Sequence, residues 1–261
     1  MIPAVGGPTV ALMTLVILIA GTMNGLAGFG FALVGTMALA TVIDPATAVV
    51  FMIVPILAVN LSLVRDLSQE ELRTCSRQFG PLIGAALVGT VVGMAVLSSI
   101  PTAPLRVGLG VLTLGFVATA QRRIPLPEWS AGGAGTFAHT RVGMLGVGGI
   151  SGLLFGGTNV GVQLIAYLRS FELSHGLFVG VVALVFLGLN GIRVAVAGLL
   201  GLYPSWILLL ASIVAAIPAV IGVAVGKRLR IAASERSRRL VVVGLLTVVG
   251  LRLVGGGLGL I

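Results

Sequence analysis

Residues 148–161, which read GGISGLLFGGTNVG, form a glycine-rich stretch in the middle of a long apolar run. Glycine this dense predicts that a membrane-length helix breaks there, at Gly156 and Gly157. A break leaves backbone N–H and C=O groups unpaired, which lipid tolerates only where the break is buried in protein or lines a water-filled cavity. The stretch is therefore predicted to contribute to a binding site.

The composition is that of an integral membrane protein, so the lipid bilayer is the first partner we expect. The 261 residues are 57% hydrophobic and 9% charged, with a mean hydropathy of +1.18, whereas about a quarter of the residues of a soluble domain are charged. The net charge of +9 does not indicate nucleic acid, because the basic residues gather at the ends of apolar runs. The single cysteine, Cys75, excludes an internal disulfide.

Eight apolar runs are visible, over residues 9–43, 46–64, 79–97, 105–120, 142–168, 177–192, 205–225 and 240–254. The first run would be about 52 Å long as one helix at ~1.5 Å per residue, which exceeds a hydrocarbon core of about 30 Å. We expect it to break within residues 25–30, leaving two shorter pieces over 9–24 and 31–43. The fifth run is expected to break in the same way.

The two broken runs belong to a tandem duplication with an offset of about 128 residues. The order of matches along the whole chain is the evidence, since single matches among Gly, Val and Ala are weak. The predicted organisation is a first membrane repeat over 1–120, a polar linker over 121–141 and a second membrane repeat over 142–261. The matched pairs include Asn24 with Ser151, Gly25 with Gly152, Gly30 with Gly157, Ser62 with Asn190, and Arg65 with Arg193.

The positive-inside rule favours one way of counting the membrane segments. If each broken run crosses once, there are eight transmembrane helices, and the Lys and Arg residues divide evenly between the two sides. If each broken run enters and returns, there are ten segments, and most of the basic residues fall on one side. The prediction is an all-α polytopic membrane protein of two inverted repeats of about five segments each, with both termini outside; eight transmembrane helices are the alternative. Inverted repeats are common in secondary transporters.

The breaks predict where a ligand binds. Thr158 and Asn159 directly follow Gly156 and Gly157, and both are residue types preferred at the N-cap of a helix that starts there. The free N–H groups of such a turn would attract an anion. The first-half counterpart, from Gly28 to Gly30, offers backbone groups but no polar cap.

Few other polar residues lie inside the apolar runs, and those near the breaks or at matched positions are the remaining candidates. Arg193 is favoured over Arg65 as a residue that attracts an anion, because Arg65 adjoins Asp66. All seven acidic residues fall at the ends of runs or in loops, so no buried proton carrier, metal site or cofactor is predicted. We expect facilitated movement of a small anion, or coupling to an ion held on backbone carbonyls. The candidates are Asn24, Ser62, Ser151, Gln163, Asn190 and Arg193.

The second half resembles the TauE/SafE sulfite exporter family, also called the toluene-sulfonate uptake permease family. The similar segments are residues 152–158 (GLLFGGT), 164–168 (LIAYL) and 186–190 (FLGLN), followed by Arg193. The first half is similar to the glycine-rich first helix of that family. The resemblance implies a multi-pass transporter in the cell membrane, without enzymatic activity, that moves sulfite, organosulfonates or related small anions, most often as export.

Other functions remain open. Gly149 to Gly152 read GISG, which resembles the nucleophile motif of rhomboid intramembrane proteases, with Ser151 and His175 as the nucleophile and base. A duplicated chain has no obvious use for a single nucleophile, so this alternative is disfavoured. A transporter of a different small anion, such as a carboxylate, and a membrane scaffold without transport are the others. Assembly as a homo-oligomer is compatible with the sequence.

Overall fold

The regular structure is α-helical throughout the described part of the chain. The computed structural model describes residues 7–27, 30–64, 78–97, 99–120, 140–169, 171, 175–232 and 235–260. In these ranges the helices are α1 Gly7–Ala27, α2 Phe31–Leu39, α3 Pro45–Phe51, α4 Ile53–Val64, α5 Gly80–Leu97, α6 Thr102–Ala120, α7 Arg141–Thr158, α8 Val162–Arg169, α9 His175–Leu199, α10 Trp206–Ala232 and α11 Glu235–Gly257.

Local side chains cap the start of α3 and of α7. Asp44 precedes α3, and its carboxylate accepts the backbone N–H of Thr47 at 3.0 Å, while Pro45 occupies the first helical position. Thr140 precedes α7, and its hydroxyl accepts the N–H of Gly143 at 3.1 Å. These bonds satisfy N–H groups that have no partner inside the helix.

Within the described ranges, four helical stretches are long and apolar enough to cross a membrane. They are Pro45–Ser62, Gly80–Leu97, Gly180–Leu199 and Trp206–Leu229, and shorter apolar helices cover Val10–Leu26, Thr102–Ala118 and Val243–Gly257. Large apolar side chains on α10, including Ile207, Val214 and Ile217, are exposed at the surface of the chain. An apolar surface of this kind suits contact with lipid tails. The prediction of a polytopic helical membrane protein is thereby confirmed in outline.

Glycines allow two helix pairs to pack with their backbones in contact, and each pair joins one helix of the first half to one of the second. In the pair α1 and α10, Gly21 lies against residues 219–223 and Gly25 against residues 223–227. In the pair α5 and α7, Gly152 lies against Ala86 and Gly156 against Thr90. Residue numbers rise together along both members of each pair, so both pairs are parallel. Small residues at such contacts are typical of helix packing in membranes.

A third pair, α6 and α11, runs antiparallel. Gly110 lies against residues 250–254, whereas Gly257 lies against Ala103 and Val107. Helix α4 packs against both α9 and α10, and α5 also packs against α9. The described helices of the two halves are therefore interleaved.

The first break lies where the sequence indicates. Helix α1 ends at Ala27 and α2 begins at Phe31, so the second predicted piece starts at the correct residue, although α1 continues through Gly25. Gly35, four residues after the start of α2, packs against Ala20, seven residues before the end of α1, so the chain turns back there. Helix α2 has nine residues and is about 13.5 Å long, less than half of a ~30 Å hydrocarbon core.

Candidate functional site

The second helix break lies at residues 159–161, not at the paired glycines before it. Helix α7 runs without interruption through Gly156 and Gly157 to Thr158, so the predicted position of the break is wrong. The physical reason is packing, since Gly156 lies against the backbone of Thr90 and Gly157 against that of Gly93 on α5. These glycines allow close helix contact and remain helical.

Thr158 and Asn159 consequently do not have the N-cap role predicted for them. The Thr158 hydroxyl donates to the Leu154 carbonyl at 2.5 Å and accepts the Val160 N–H at 3.1 Å. Asn159 ends α7 as its C-cap, with φ 60° and ψ 10°, and its N–H donates to the Phe155 carbonyl. Asparagine is one of the few residues other than glycine that enter this left-handed conformation readily.

The Asn159 side chain connects the second break to the first half of the chain. It is fully buried. Its Nδ2 donates to the Thr36 Oγ1 on α2 at 2.7 Å and to the Val49 carbonyl on α3 at 3.0 Å. Its Oδ1 is buried and has no hydrogen-bond partner among the described residues. This contact joins residues 123 positions apart, and Thr36 and Val49 are not among the predicted site residues.

Arg193 is fully buried in α9, beside the last turn of α7. Its Nη1 donates to the Asn190 Oδ1 at 3.2 Å and its Nη2 to the Gly156 carbonyl at 3.4 Å. The guanidinium lies 5.0 Å from the centre of the Phe155 ring, and its Nε has no hydrogen-bond partner in the described part of the chain. The cation is thus held by an amide, a carbonyl and an aromatic face, with a donor left over.

No described carboxylate compensates the charge of Arg193. Asp44 is the one acidic residue whose side chain the structure describes, and its oxygens accept bonds from Thr47 and Thr102. An isolated buried charge costs several kcal/mol unless it is paired. Among the described residues, the charge of Arg193 is therefore left without a carboxylate partner.

Two more polar residues each have a buried atom without a described hydrogen-bond partner. Gln163 is the second residue of α8, and its Oε1 is buried without a hydrogen-bond partner among the described residues. Tyr203 lies in the connection between α9 and α10. Burial raises the pKa of the Tyr203 phenol, while the positive charge of Arg193 and the hydroxyl of Ser212 act in the opposite direction. The Tyr203 hydroxyl has no described hydrogen-bond partner and is a donor that sequence reasoning did not find.

The first break has a polar cap, contrary to the prediction. The Phe31 N–H, at the start of α2, donates to the Asn24 Oδ1 at 3.1 Å, and Asn24 is buried. Gly30 adopts a left-handed conformation with φ 103°. The cap comes from the preceding helix rather than from the turn itself, which explains why the pattern in the turn did not reveal it. Gly28 lies outside the described residues.

The remaining predicted residues are not brought into the group by any described hydrogen bond. The Ser62 hydroxyl, half-buried in α4, donates to the Val59 carbonyl of its own helix at 2.7 Å. Ser151 is buried within the unbroken α7, and the side chain of His175 lies outside the described residues, as does Arg65. The structure thus brings together Gly156, Asn159, Asn190 and Arg193, whereas Asn24 and Gly30 form a separate group at the other break.

Helix α2 joins the two groups. At its start, Phe31 donates to Asn24. Five residues later, about 7.5 Å along the helix axis, Thr36 accepts from Asn159. The fold and this site define a class of protein: a polytopic helical membrane protein with two helix breaks, one of which lies beside a buried arginine. Discontinuous helices of this kind are known from secondary transporters.

The family follows from comparison with known proteins. The model of the family described as sulfite exporter TauE/SafE matches residues 13–253, nearly the whole chain, so the chain belongs to this family. Its members are membrane transporters, and the predicted resemblance is confirmed. The rhomboid protease alternative is not supported. Searches of curated proteins and of solved structures found no significant match to the chain.

Proposed function

We propose that the protein moves a small sulfur-containing oxyanion, such as sulfite or an organosulfonate, across the cell membrane, and that Arg193 binds the anion. The observation that carries this proposal is the full burial of Arg193 without a described carboxylate partner, next to a helix break. Guanidinium groups bind oxyanions through charge-assisted hydrogen bonds, often in pairs. The Arg193 Nε and the Tyr203 phenol are donors available for such bonds.

Asn159 and Asn190 position this site rather than supply its charge. Asn190 donates to the Phe186 carbonyl at 2.8 Å and accepts from Arg193, which fixes the orientation of the guanidinium. Asn159 holds the end of α7 against α2 and α3. Both amides therefore keep the last turn of α7 and the cation in one arrangement.

The proposed architecture is an inverted repeat of five plus five segments. If the broken runs crossed once, α6 and α11 would be the fourth and eighth crossings and would run in the same direction. If the broken runs return, these helices are the fifth and tenth segments and run in opposite directions. The antiparallel contacts of α6 with α11 and the return of α2 along α1 support the second count. This arrangement places the Lys227–Arg239 end of α10 inside the cell, as the positive-inside rule favours.

Counterflow in proteoliposomes tests the function. We expect uptake of labelled sulfite or organosulfonate that is competed by the unlabelled anion, and a reduction of at least tenfold in Arg193→Gln. Arg228→Gln, which removes an exposed charge on α10, is the matched control and should retain most of the rate. A carboxylate is the second candidate substrate, because guanidinium binds it too. Uptake of carboxylates alone would replace the sulfur anion in the proposal, and uptake of no anion would refute the proposal.

Cysteine labelling tests the topology. Because Cys75 is the single cysteine, Cys75→Ser provides a background in which Ser99→Cys and Arg228→Cys can be compared in intact cells. An impermeant maleimide should label position 99, between α5 and α6, and should label position 228 only after the membrane is opened. Labelling of both positions from outside would contradict the ten-segment arrangement.

A further inference from the structure

A second group of basic residues lines a cavity away from Arg193. The cavity lies where the C-terminal ends of α2 and α11 meet the first turns of α6, and its volume is about 160 Å³. A liquid water occupies about 30 Å³, so the space is on the order of five waters. Its lining residues are Ala40, Thr41, Arg106, Arg252, Leu253 and Gly256.

The two arginines have no described partner for their charge. Arg106 is half-buried, and its Nε is buried without a hydrogen-bond partner among the described residues. The nearby Asp44 is engaged by Thr47 and Thr102, and no described ion pair joins it to either arginine. Two guanidinium groups facing one small cavity repel each other unless an anion lies between them.

Helix capping does not account for these side chains. A cation at the C-terminal end of a helix is stabilised by the helix dipole and can donate to the last carbonyls. Arg252 lies near the end of α11, and the cavity borders the end of α2. Neither guanidinium donates a described hydrogen bond to those carbonyls. Their donors are therefore available to a ligand.

We propose that Thr41, Arg106 and Arg252 form an entry site for a small soluble oxyanion, distinct from the site at Arg193. Thr41 lies just after α2, five residues beyond Thr36, which is about 7.5 Å at helical spacing. Thr36 accepts a hydrogen bond from Asn159, which lies next to the α7 turn that contacts Arg193. The entry site raises the local concentration of anions next to the transport site, as charged clefts do. Its effect on transport rests on the proposed function, whereas its binding of an anion does not.

A lipid phosphate carries the same chemistry as a free oxyanion. We assign the free anion because the cavity is on the order of a few waters in size and borders a threonine hydroxyl as well as the two cations. A lipid headgroup at this position would carry acyl chains along the surface of α6 and α11. The experiment below separates these two sources.

Isothermal titration of the full chain in detergent with sodium sulfate, against sodium chloride at equal ionic strength, tests the entry site. The titration uses the Arg193→Gln background, so that the proposed transport site does not contribute. We expect saturable sulfate binding in the background. In the double variant that adds both Arg106→Gln and Arg252→Gln, the affinity for sulfate should fall at least tenfold. Arg228→Gln, with a charge removed on α10, should bind as the background does. Equal binding in the double variant and in the background would overturn the proposal.

Further variants and measurements keep the outcomes distinct. If the double variant does not fold, Arg252→Gln alone should weaken binding severalfold, because Arg252 is exposed and its loss disturbs no core. In counterflow with Arg193 intact, the double variant should raise the KM at least tenfold with a maximal rate within twofold. Wild-type KM would overturn the entry role, while loss of counterflow in Arg193→Gln tests the proposed function separately. Binding of phosphatidylglycerol that depends on both arginines, without any sulfate binding, would overturn the assignment to a soluble anion.

Discussion

Replacing Asn159 tests the contact by which the second break is attached to the first half. Asn159→Gly removes two hydrogen bonds, to Thr36 and Val49, while glycine accepts the left-handed backbone at φ 60°. A typical hydrogen bond contributes about 1 kcal/mol net, so we expect a loss of about 2 kcal/mol. For a chain of this size that corresponds to a fall in Tm of roughly 4–8 °C, measured by thermal unfolding in detergent.

Asn159→Leu separates the backbone effect from the side-chain effect. Leucine also loses both hydrogen bonds, and it additionally pays roughly 1–2 kcal/mol to adopt the left-handed conformation. The predicted order of stability is therefore wild type, then Asn159→Gly, then Asn159→Leu. Because of this backbone cost, the glycine variant is the better test of transport, and we expect it to lower the counterflow rate.

A double-mutant cycle tests whether the contact acts through Thr36. Thr36→Val removes the hydroxyl that accepts from Asn159, and the two changes should show a coupling energy of about 1 kcal/mol. Additive effects would refute the bond between Asn159 and Thr36. An Asn159→Leu variant as stable as Asn159→Gly would refute the cost of the left-handed cap.

Two further predictions concern the first break and the glycine contacts. Asn24→Ala removes the acceptor for the Phe31 N–H and should lower the free energy of unfolding by about 1 kcal/mol, as loss of a helix cap does. We expect a lower Tm and a parallel reduction of transport. An unchanged Tm would contradict the cap. In Gly152→Ala the added Cβ would overlap the Ala86 carbonyl, which should destabilise the protein by about 1–3 kcal/mol. Gly149→Ala, on the same helix but facing open space, is the control and should be neutral or stabilising by up to about 1 kcal/mol; equal effects of the two changes would argue against the packing of α5 on α7.

The local sequence predicts the first break better than the second. In the first run, length alone requires an interruption, because 35 apolar residues cannot fit one straight crossing, and the second helix begins at Phe31 as predicted. In the fifth run, Gly156 and Gly157 suit either a break or a close helix contact. Which of these applies depends on Thr90 and Gly93 of α5, more than sixty residues away. A local pattern does not contain that information.

The site shows the same division between local and distant information. The pairing of Asn190 with Arg193 spans three residues on one helix, and both were candidates from the sequence. The bond between Asn159 and Thr36, and the meeting of Arg106 with Arg252 at one cavity, join distant parts of the chain. The positive-inside rule counts all such arginines as signals of topology. A count of this kind does not distinguish an arginine at the membrane surface from one that lines a cavity.

The glycine contacts also indicate which parts of the protein move together. Each parallel pair, α1 with α10 and α5 with α7, joins the two halves through backbone contact, so movement of one repeat as a unit against the other would separate both pairs. Helix α4 packs on both α10 and α9, and α5 packs on α9. We therefore expect two moving groups, one built on the pair of α1 with α10 and the other on the pair of α5 with α7.

Spin-label distances in the Cys75→Ser background test this division. Val88 on α5, Ile150 on α7 and Ile213 on α10 are exposed side chains, so labels at these positions do not disturb the core. The distance from 88 to 150 lies within one group and should stay constant when sulfite is added. The distance from 88 to 213 joins the two groups and should shift or broaden, because alternating access would require the proposed site at Arg193 to open to each side in turn. A change in the first distance with a constant second distance would mean that the α5 and α7 contact is the moving interface, and the proposed grouping would be wrong.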